Sequence, residues 1–329
     1  MTTSLLLTNA YIHSVAEPYA TALHIDNGVV AWLGTDETAQ QMVGATTTGP
    51  VETHDAQNML ITPAFVDGLT SRELADEDPR IMLSATQPTD NGVYYAPAET
   101  ADAGGLFVAA AQLDRLGEIV TQIAPPTQLL IESTSAEDVE HILAILEQQP
   151  NTALMRSRHR IVMNHQLDAE QIRRLVTVHA SVTLVPALED DRPVFYAPTA
   201  SLISEGVHVA VGTGDWSGSL WDVLTALIEH ADQQQRVSTR AAFNTVTRDG
   251  IRVLPSKVSQ ANMAAGQLGV GTPANLNIWR AEQLGVQAPD VRAAHWSTDK
   301  RAGTALLPIL SSDEHMPELV GVIRNGQMS

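Results

Sequence analysis

The run Gly206-Val207-His208-Val209-Ala210-Val211-Gly212-Thr213-Gly214-Asp215-Trp216 decides how the chain is read. Residues 207–212 are short, β-branched and bounded by glycine, which reads as a strand. Behind them Leu220, Val223, Leu224, Leu227, Ile228 and Ala231 recur at i, i+3, i+4 and i+7, one face of a helix. A strand followed by an amphipathic helix is a βα unit, and upstream the pattern repeats. Residues 128–132 read as a buried strand. Ser135 stands three residues before Asp138 and opens a helix striped by Val139, Ile142, Leu143 and Leu146. Residues 160–164 form the next strand, and Asp168 with Gln171 caps a helix striped by Ile172, Leu175 and Val176. Residues 181–185 are another strand. Strands alternating with helices predict a parallel sheet.

The two ends of the chain differ from this middle. Residues 4–8, 20–25 and 29–33 are β-rich, with Asp26-Asn27-Gly28 as a hairpin turn. Residues 59–66 form a strand that ends at Asp67. After a helical stretch at 243–254, Gly266, Gly269, Gly271 and Pro273 break the pattern. Residues 276–279 and 319–324 then return to strand, with Asn325-Gly326 as a turn. The simplest arrangement pairs the ends as a small discontinuous β-domain, 1–60 with 266–329, around a barrel-like domain at 61–265. In the segment 72–105, residues 80–86 read as a strand, Pro88 to Gly92 as a turn and Gly104-Gly105 as a break. Leu106 opens a regular pattern, with Leu113, Leu116, Ile119, Val120 and Ile123 at helical spacing.

The chain has 329 residues, 44% of them hydrophobic, enough for one large domain with a satellite. Its lack of cysteine excludes disulfides, thiolate metal sites and a cysteine nucleophile. A formal charge of −19 repels a polyanion, so no nucleic-acid partner is expected. The same charge favours solubility and attracts a cationic ligand or metal. No apolar run approaches the roughly 20 residues that span a bilayer, and no basic residue precedes Leu5-Leu6-Leu7. A soluble, cytoplasmic chain with no membrane partner is therefore expected. His159, between Arg158 and Arg160, is expected at the surface.

Four pieces, in this order along the chain, resemble the amidohydrolase superfamily. They are Leu5 to Ala10 with Ile25 to Gly34; Ile61-Thr62-Pro63-Ala64-Phe65-Val66-Asp67; Gly206 to Trp216; and Gly266 to Leu276 with Val322-Ile323-Arg324-Asn325-Gly326. The resemblance implies an α/β TIM-like barrel with a small β-sandwich formed by both termini. It also implies hydrolysis of non-peptide carbon–nitrogen bonds, with one or two divalent metals such as zinc at the C-terminal ends of the strands. The departures matter as much. Where the family pattern is Asp-x-His-x-His, this chain reads Asp67-Gly68-Leu69-Thr70-Ser71, so Leu69 and Ser71 stand at two ligand positions. By the resemblance the remaining metal candidates are Glu132, His165 and Asp215. Asp215 is also the candidate catalytic base, and Trp216 the candidate substrate contact. The bland alternative for Asp215 is a cap on the helix that follows. The interval from Asp67 to Asp215 is short for a barrel of roughly 250 residues, which leaves an incomplete barrel or minimal units at its second and third strands. Three functional readings follow. They are a degenerate amidohydrolase with a lost metal site, a pseudoenzyme; a live mono-metal hydrolase built on Asp215 with His165 or Glu132; and a non-catalytic protein that binds a small ligand or a subunit, a homo-oligomer included.

Overall fold

In the computed structural model, residues 4–47, 49–75, 78–90, 92–98, 105–287, 296–297 and 304–329 are described. Eight parallel strands, each bonded to the next along the chain, form the central sheet. Barrel strands 1 to 8 are Phe65–Asp67, Arg80–Ala85, Gly92–Pro97, Gly105–Val108, Gln128–Glu132, Arg160–Met163, Ser181–Leu184 and Val209–Val211. Just past strands 1 and 8 the two ends of the sheet meet. The Gly68 N–H donates to Val211 O and the Gly214 N–H to Leu69 O, both at 2.9 Å. The sheet thus closes into a TIM-like barrel.

The barrel keeps its second and third strands, and the shortness lies in how they are joined. Among the described residues no helix intervenes between strands 1 and 4. A parallel connection ordinarily needs a dozen or more residues, because the chain must return to the far end of the sheet. Here the strands are staggered. Gly92, the first residue of strand 3, pairs with Leu83 late in strand 2, and Gly105 pairs with Tyr95. The stagger removes most of the return path. Two expectations change accordingly. Gly92 opens a strand and does not merely end a turn, and Leu106 lies in strand 4. The helical pattern starts after it, as the 3₁₀ turn Ala110–Arg115 and the helix Leu116–Gln122.

From strand 5 onward the βα units run as the periodicity predicts, except that Val176, expected on the buried stripe of its helix, is 40% exposed. Ser135 Oγ accepts from the Asp138 N–H at 3.1 Å and Asp168 Oδ1 from the Gln171 N–H at 2.8 Å, which start Ala136–Leu146 and Ala169–Thr177. The apolar stripes of these helices and of Leu220–Ile228 pack on Leu129, Ile131, Ile161, Met163, Val182 and Leu184. Strand residues alternate faces, so Leu130 and Val162 point the other way, into a second cluster with Val66, Val93, Tyr95 and Leu254 inside the barrel.

Nine of the remaining strands of the two ends form a two-sheet layer, while Leu284–Gln287, Trp296–Ser297 and Leu307–Pro308 pair as a separate small sheet. Ser4–Thr8, Ala22–Asp26, Val29–Gly34 and Val51–Asp55 make one sheet. Tyr11–Ile12, Leu60–Pro63, Leu276–Arg280, Glu318–Arg324 and Gln327–Met328 make the other. Leu5, Leu7, Leu23 and Ile25 of the first share one buried cluster with Ile61, Leu276, Ile278 and Ile323 of the second. Leu6 faces away and is covered by Ala39 and Val43 of the helix Asp36–Thr46. Asn27 (φ 50) and Gly28 (φ 79) make the left-handed pair that a two-residue hairpin loop requires. An aromatic joint ties this layer to the barrel. Phe65 stacks on Trp279 at 5.4 Å and meets Trp221 edge-on at 5.2 Å. No helix among the described residues is long and apolar enough to cross a membrane.

Candidate functional site

The residues after strands 1 and 8 form the mouth, the end of the barrel where this fold carries its chemistry. They sit very close together. A Cβ on Gly212 would lie 2.3 Å from Leu69 O, so glycine is needed there for the two backbones to meet. Ser71, at one of the family's ligand positions, is spent on this seam. Its N–H and its hydroxyl both donate to Gly214 O at 3.2 Å.

Asp67 lies beneath the seam with no exposed surface. It accepts from the Thr213 N–H at 2.9 Å, from Thr213 Oγ1 at 2.7 Å and from Arg80 Nη1 at 3.1 Å. Burial pushes its carboxyl up, and the bonds from Thr213 and Arg80 pull it back. Arg80 forks between two carboxylates: it also grips Asp78 through Nε at 2.9 Å and Nη2 at 2.7 Å. Burial alone would raise the Asp78 carboxyl, but the Arg80 bonds hold it below its ordinary value. Deeper in the barrel Arg160, the first residue of strand 6, is fully buried. Its Nη2 donates to Gly68 O, and its guanidinium lies 5.2 Å from the centre of the Tyr95 ring. Its Nε and Nη1 have no hydrogen-bond partner.

The residues singled out from the sequence fall at the ends of strands 5, 6 and 8 but do not converge. Glu132 Oε2 accepts from the Ala110 N–H at 3.0 Å, closing the start of the 3₁₀ turn. His165 Nε2 is 2.9 Å from Ser133 Oγ. His165 shares strand parity with Met163, which packs toward the outer helices, whereas Val162 faces the barrel interior. Asp215 is exposed. It does not cap the following helix; Ser219 does, accepting from the Trp221 N–H at 3.1 Å, while Asp222 accepts from the Ser219 N–H at 2.9 Å. Trp216 is half-buried, and its Nε1–H donates to Ser219 O at 3.2 Å.

Trp216 forms one wall of a cleft of about 400 Å³. Arg192, Phe195, Asp222, Glu229 and His230 also line it. Arg192 comes from the hairpin Ala187–Glu189 with Arg192–Val194, whose turn is Asp190 and Asp191, both at positive φ. Burial pushes the Asp222 carboxyl up, against the pull of Ser219 and Trp216. Glu229 Oε1 accepts from the Ser312 N–H at 3.1 Å. His230 is 3% exposed. Its Nδ1 lies 3.1 Å from Asp232 N and 3.2 Å from Asp232 O, and among the described residues its buried Nε2 has no partner.

Several solved structures superpose on nearly the whole of this chain. N-isopropylammelide isopropylaminohydrolase from Burkholderia multivorans superposes with a TM-score of 0.57 at 12% identity, over 99% of this chain and 98% of its own. An adenosine deaminase from Xanthomonas campestris with bound zinc gives 0.59 at 12%, over 99% and 92%. A prolidase complexed with N-methylphosphonate-L-proline gives 0.60 at 9%, over 99% of each chain. This chain has the amidohydrolase-superfamily fold. No family model matches the sequence, and no curated protein matches it.

An amidohydrolase fold raises the question of a divalent metal, and the donors of this chain do not fit one. The strand 1 positions hold Leu69 and a Ser71 bonded into the seam. Glu132 and His165 are engaged with Ala110 and Ser133. Among the described residues no three His, Asp or Glu side chains come together as a metal would require. Beneath the mouth lie Arg80, paired with Asp67 and Asp78, and the fully buried Arg160. Sequence reasoning missed both arginines, Asp67 with Thr213, and the cleft residues Asp222, Glu229 and His230. Strand parity could have found Arg160, because it shares a face with Val162. No sequence signal points to His230.

His159, expected at the surface, is 4% exposed. Its Nδ1 accepts from the Leu129 N–H at 3.1 Å across the start of strands 5 and 6. The flanking arginines do not mark a surface: Arg158 is half-buried and Arg160 points inward.

Proposed function

We propose that this protein binds a small nitrogen heterocycle in the cleft beside Trp216 and no longer hydrolyses it at a metal centre. The observation that carries the reading is the buried, unpartnered Nε2 of His230, a residue in the wall of a cleft with two carboxylates. A buried polar atom without a partner is costly, and a polar ligand atom brought against it would satisfy it. Asp222 and Glu229 offer acceptors to ligand N–H groups. Trp216 and Phe195 offer apolar surfaces to a planar ring. The net charge of −19 favours a weakly basic ligand. The superposed structures add to this: adenosine and N-isopropylammelide, named for two of those enzymes, are nitrogen heterocycles. Loss of metal chemistry is supported by Leu69 and Ser71 at the strand 1 positions and by the separate engagements of Glu132 and His165.

The test is calorimetric titration with melamine and adenosine, beside elemental analysis of the untagged protein by mass spectrometry. Saturable binding that weakens at least about tenfold in His230→Phe, with no stoichiometric metal, is the expected result. Near-stoichiometric zinc that disappears in Asp215→Ala would overturn the non-hydrolytic half of the reading in favour of a mono-metal hydrolase. Binding unchanged by His230→Phe would overturn the other half.

A further inference from the structure

Arg158 stands just before barrel strand 6 and His208 just before strand 8, so both mark the end of the barrel opposite the mouth. The helix Arg248–Arg252 crosses this end, where Val253 O accepts from Gln128 Nε2 at the start of strand 5 (2.9 Å). A cavity of about 640 Å³ opens between them, with Arg158, His208, Arg248, Arg252, Ser256 and Gln260 in its wall. Three of the 19 basic residues of a chain whose net charge is −19 line this one cavity. Among the described residues no carboxylate lines it. Asp249, beside it, pairs with Arg252 at 3.1 Å and Arg248 at 3.6 Å. Burial holds His208 below its ordinary value, and Arg252 and Arg158 add to this against Asp249, so its imidazole is neutral at pH 7. Three guanidiniums against one carboxylate leave two positive charges uncompensated.

The hydrogen-bond pattern points the same way. Arg158 Nη2 is anchored on Leu254 O at 2.9 Å, and Arg158 closes the helix Asn151–Ser157 in the left-handed conformation. Among the described residues its buried Nε has no hydrogen-bond partner; the buried Nε of Arg248 makes no hydrogen bond either and lies 3.6 Å from Asp249 Oδ1. Guanidinium groups present paired N–H donors that match the oxygens of phosphate. The volume lies within the usual range for small-molecule sites. Met155 and Met263, exposed at the rim, offer flexible apolar surface to any carbon skeleton attached to the phosphate.

We propose that this cavity, on the face opposite the mouth, binds a small dianionic oxyanion, either inorganic phosphate or the phosphate group of a phosphomonoester. The site is independent of the heterocycle reading, since it shares no residue with the Trp216 cleft.

Calorimetric titration of the full chain at pH 7.5 with sodium phosphate and with glycerol 3-phosphate, against sodium chloride at matched ionic strength, tests it. One saturable site is expected, weakened about tenfold or more in the double variant Arg248→Gln/Arg252→Gln. Tighter binding of glycerol 3-phosphate assigns the site to phosphomonoesters; equal affinity assigns it to inorganic phosphate. If circular dichroism finds the double variant unfolded, Arg252→Gln alone serves, its side chain being 45% exposed. No binding beyond the chloride control, or an affinity the variants leave unchanged, overturns the proposal.

Discussion

Asp67 and Thr213 tie the first barrel strand to the eighth through two hydrogen bonds, at 2.9 Å from the Thr213 amide and 2.7 Å from its hydroxyl. The carboxylate is wholly buried, so each bond offsets part of a large desolvation cost. Thr213→Val keeps the shape and the amide bond but removes the hydroxyl. The expected loss is about 1–3 kcal/mol in urea unfolding, with Thr213→Ser close to the parent. A valine variant as stable as the parent would mean that the seam does not depend on this pair.

Arg160 behaves differently, because its charge is buried and only partly satisfied. One nitrogen reaches Gly68 O and two have no partner. Replacing a poorly paired buried charge by an apolar side chain of similar volume is often neutral or stabilising. Arg160→Met is therefore expected to match or exceed the parent in urea unfolding. Arg160→Ala, which also leaves a cavity, is expected to lose about 2–5 kcal/mol. A large loss in the methionine variant would assign the guanidinium a stabilising role that its visible bonds do not explain.

The contrast between these two sites marks what the sequence could reveal. Strands 5 to 8 and their helices were legible, because capping pairs such as Ser135 with Asp138 and stripes such as Ile172 and Leu175 are local signals. Strands 3 and 4 were not. Among the described residues no helix precedes Gly92–Pro97 or Gly105–Val108 in the barrel, and their identity rests on a stagger with neighbouring strands that no local pattern encodes. The helix Asp36–Thr46 was missed because its buried side is narrow, with Ala39 and Val43 as its buried hydrophobic residues. In the candidate site the family motif drew attention to Glu132, His165 and Asp215. The side chains with unmet or shared demands, Arg80, Arg160 and His230, become visible only when burial and partners are known.

Two buried histidines contribute to the response to acid. His13 donates from Nδ1 to Leu306 O at 3.0 Å and packs edge-on against Phe243; His159 accepts from Leu129. Burial lowers each from 6.5 to about 4. Because the folded pKa is the lower one, the unfolded chain takes up protons first as pH falls. Stability is therefore fully present above pH 6.5 and declines from there to about pH 4, by on the order of 3 kcal/mol for each histidine. Urea unfolding at pH 7 and pH 4.5 is expected to show this decline, with a smaller one in His159→Gln. A stability independent of pH over this window would contradict the burial of both rings.

The cleft prediction turns on separating shape from hydrogen bonding. His230→Phe keeps a flat ring but removes the buried Nε2, and Trp216→Ala removes a wall but leaves that nitrogen. If the ligand is a planar heterocycle held by both, Trp216→Ala lowers affinity for every ring in a panel. His230→Phe lowers it only for rings with a polar atom in reach, by about 1–3 kcal/mol where the buried nitrogen was satisfied. Asp222→Asn is expected to weaken rings that donate two N–H groups, since the amide replaces one acceptor oxygen by a donor. Calorimetry on melamine, adenosine and a ring with few polar atoms such as indole separates these effects. A uniform loss across the panel in all three variants would mean that the cleft had collapsed, whereas the selective pattern requires His230 and Asp222 to face the ligand.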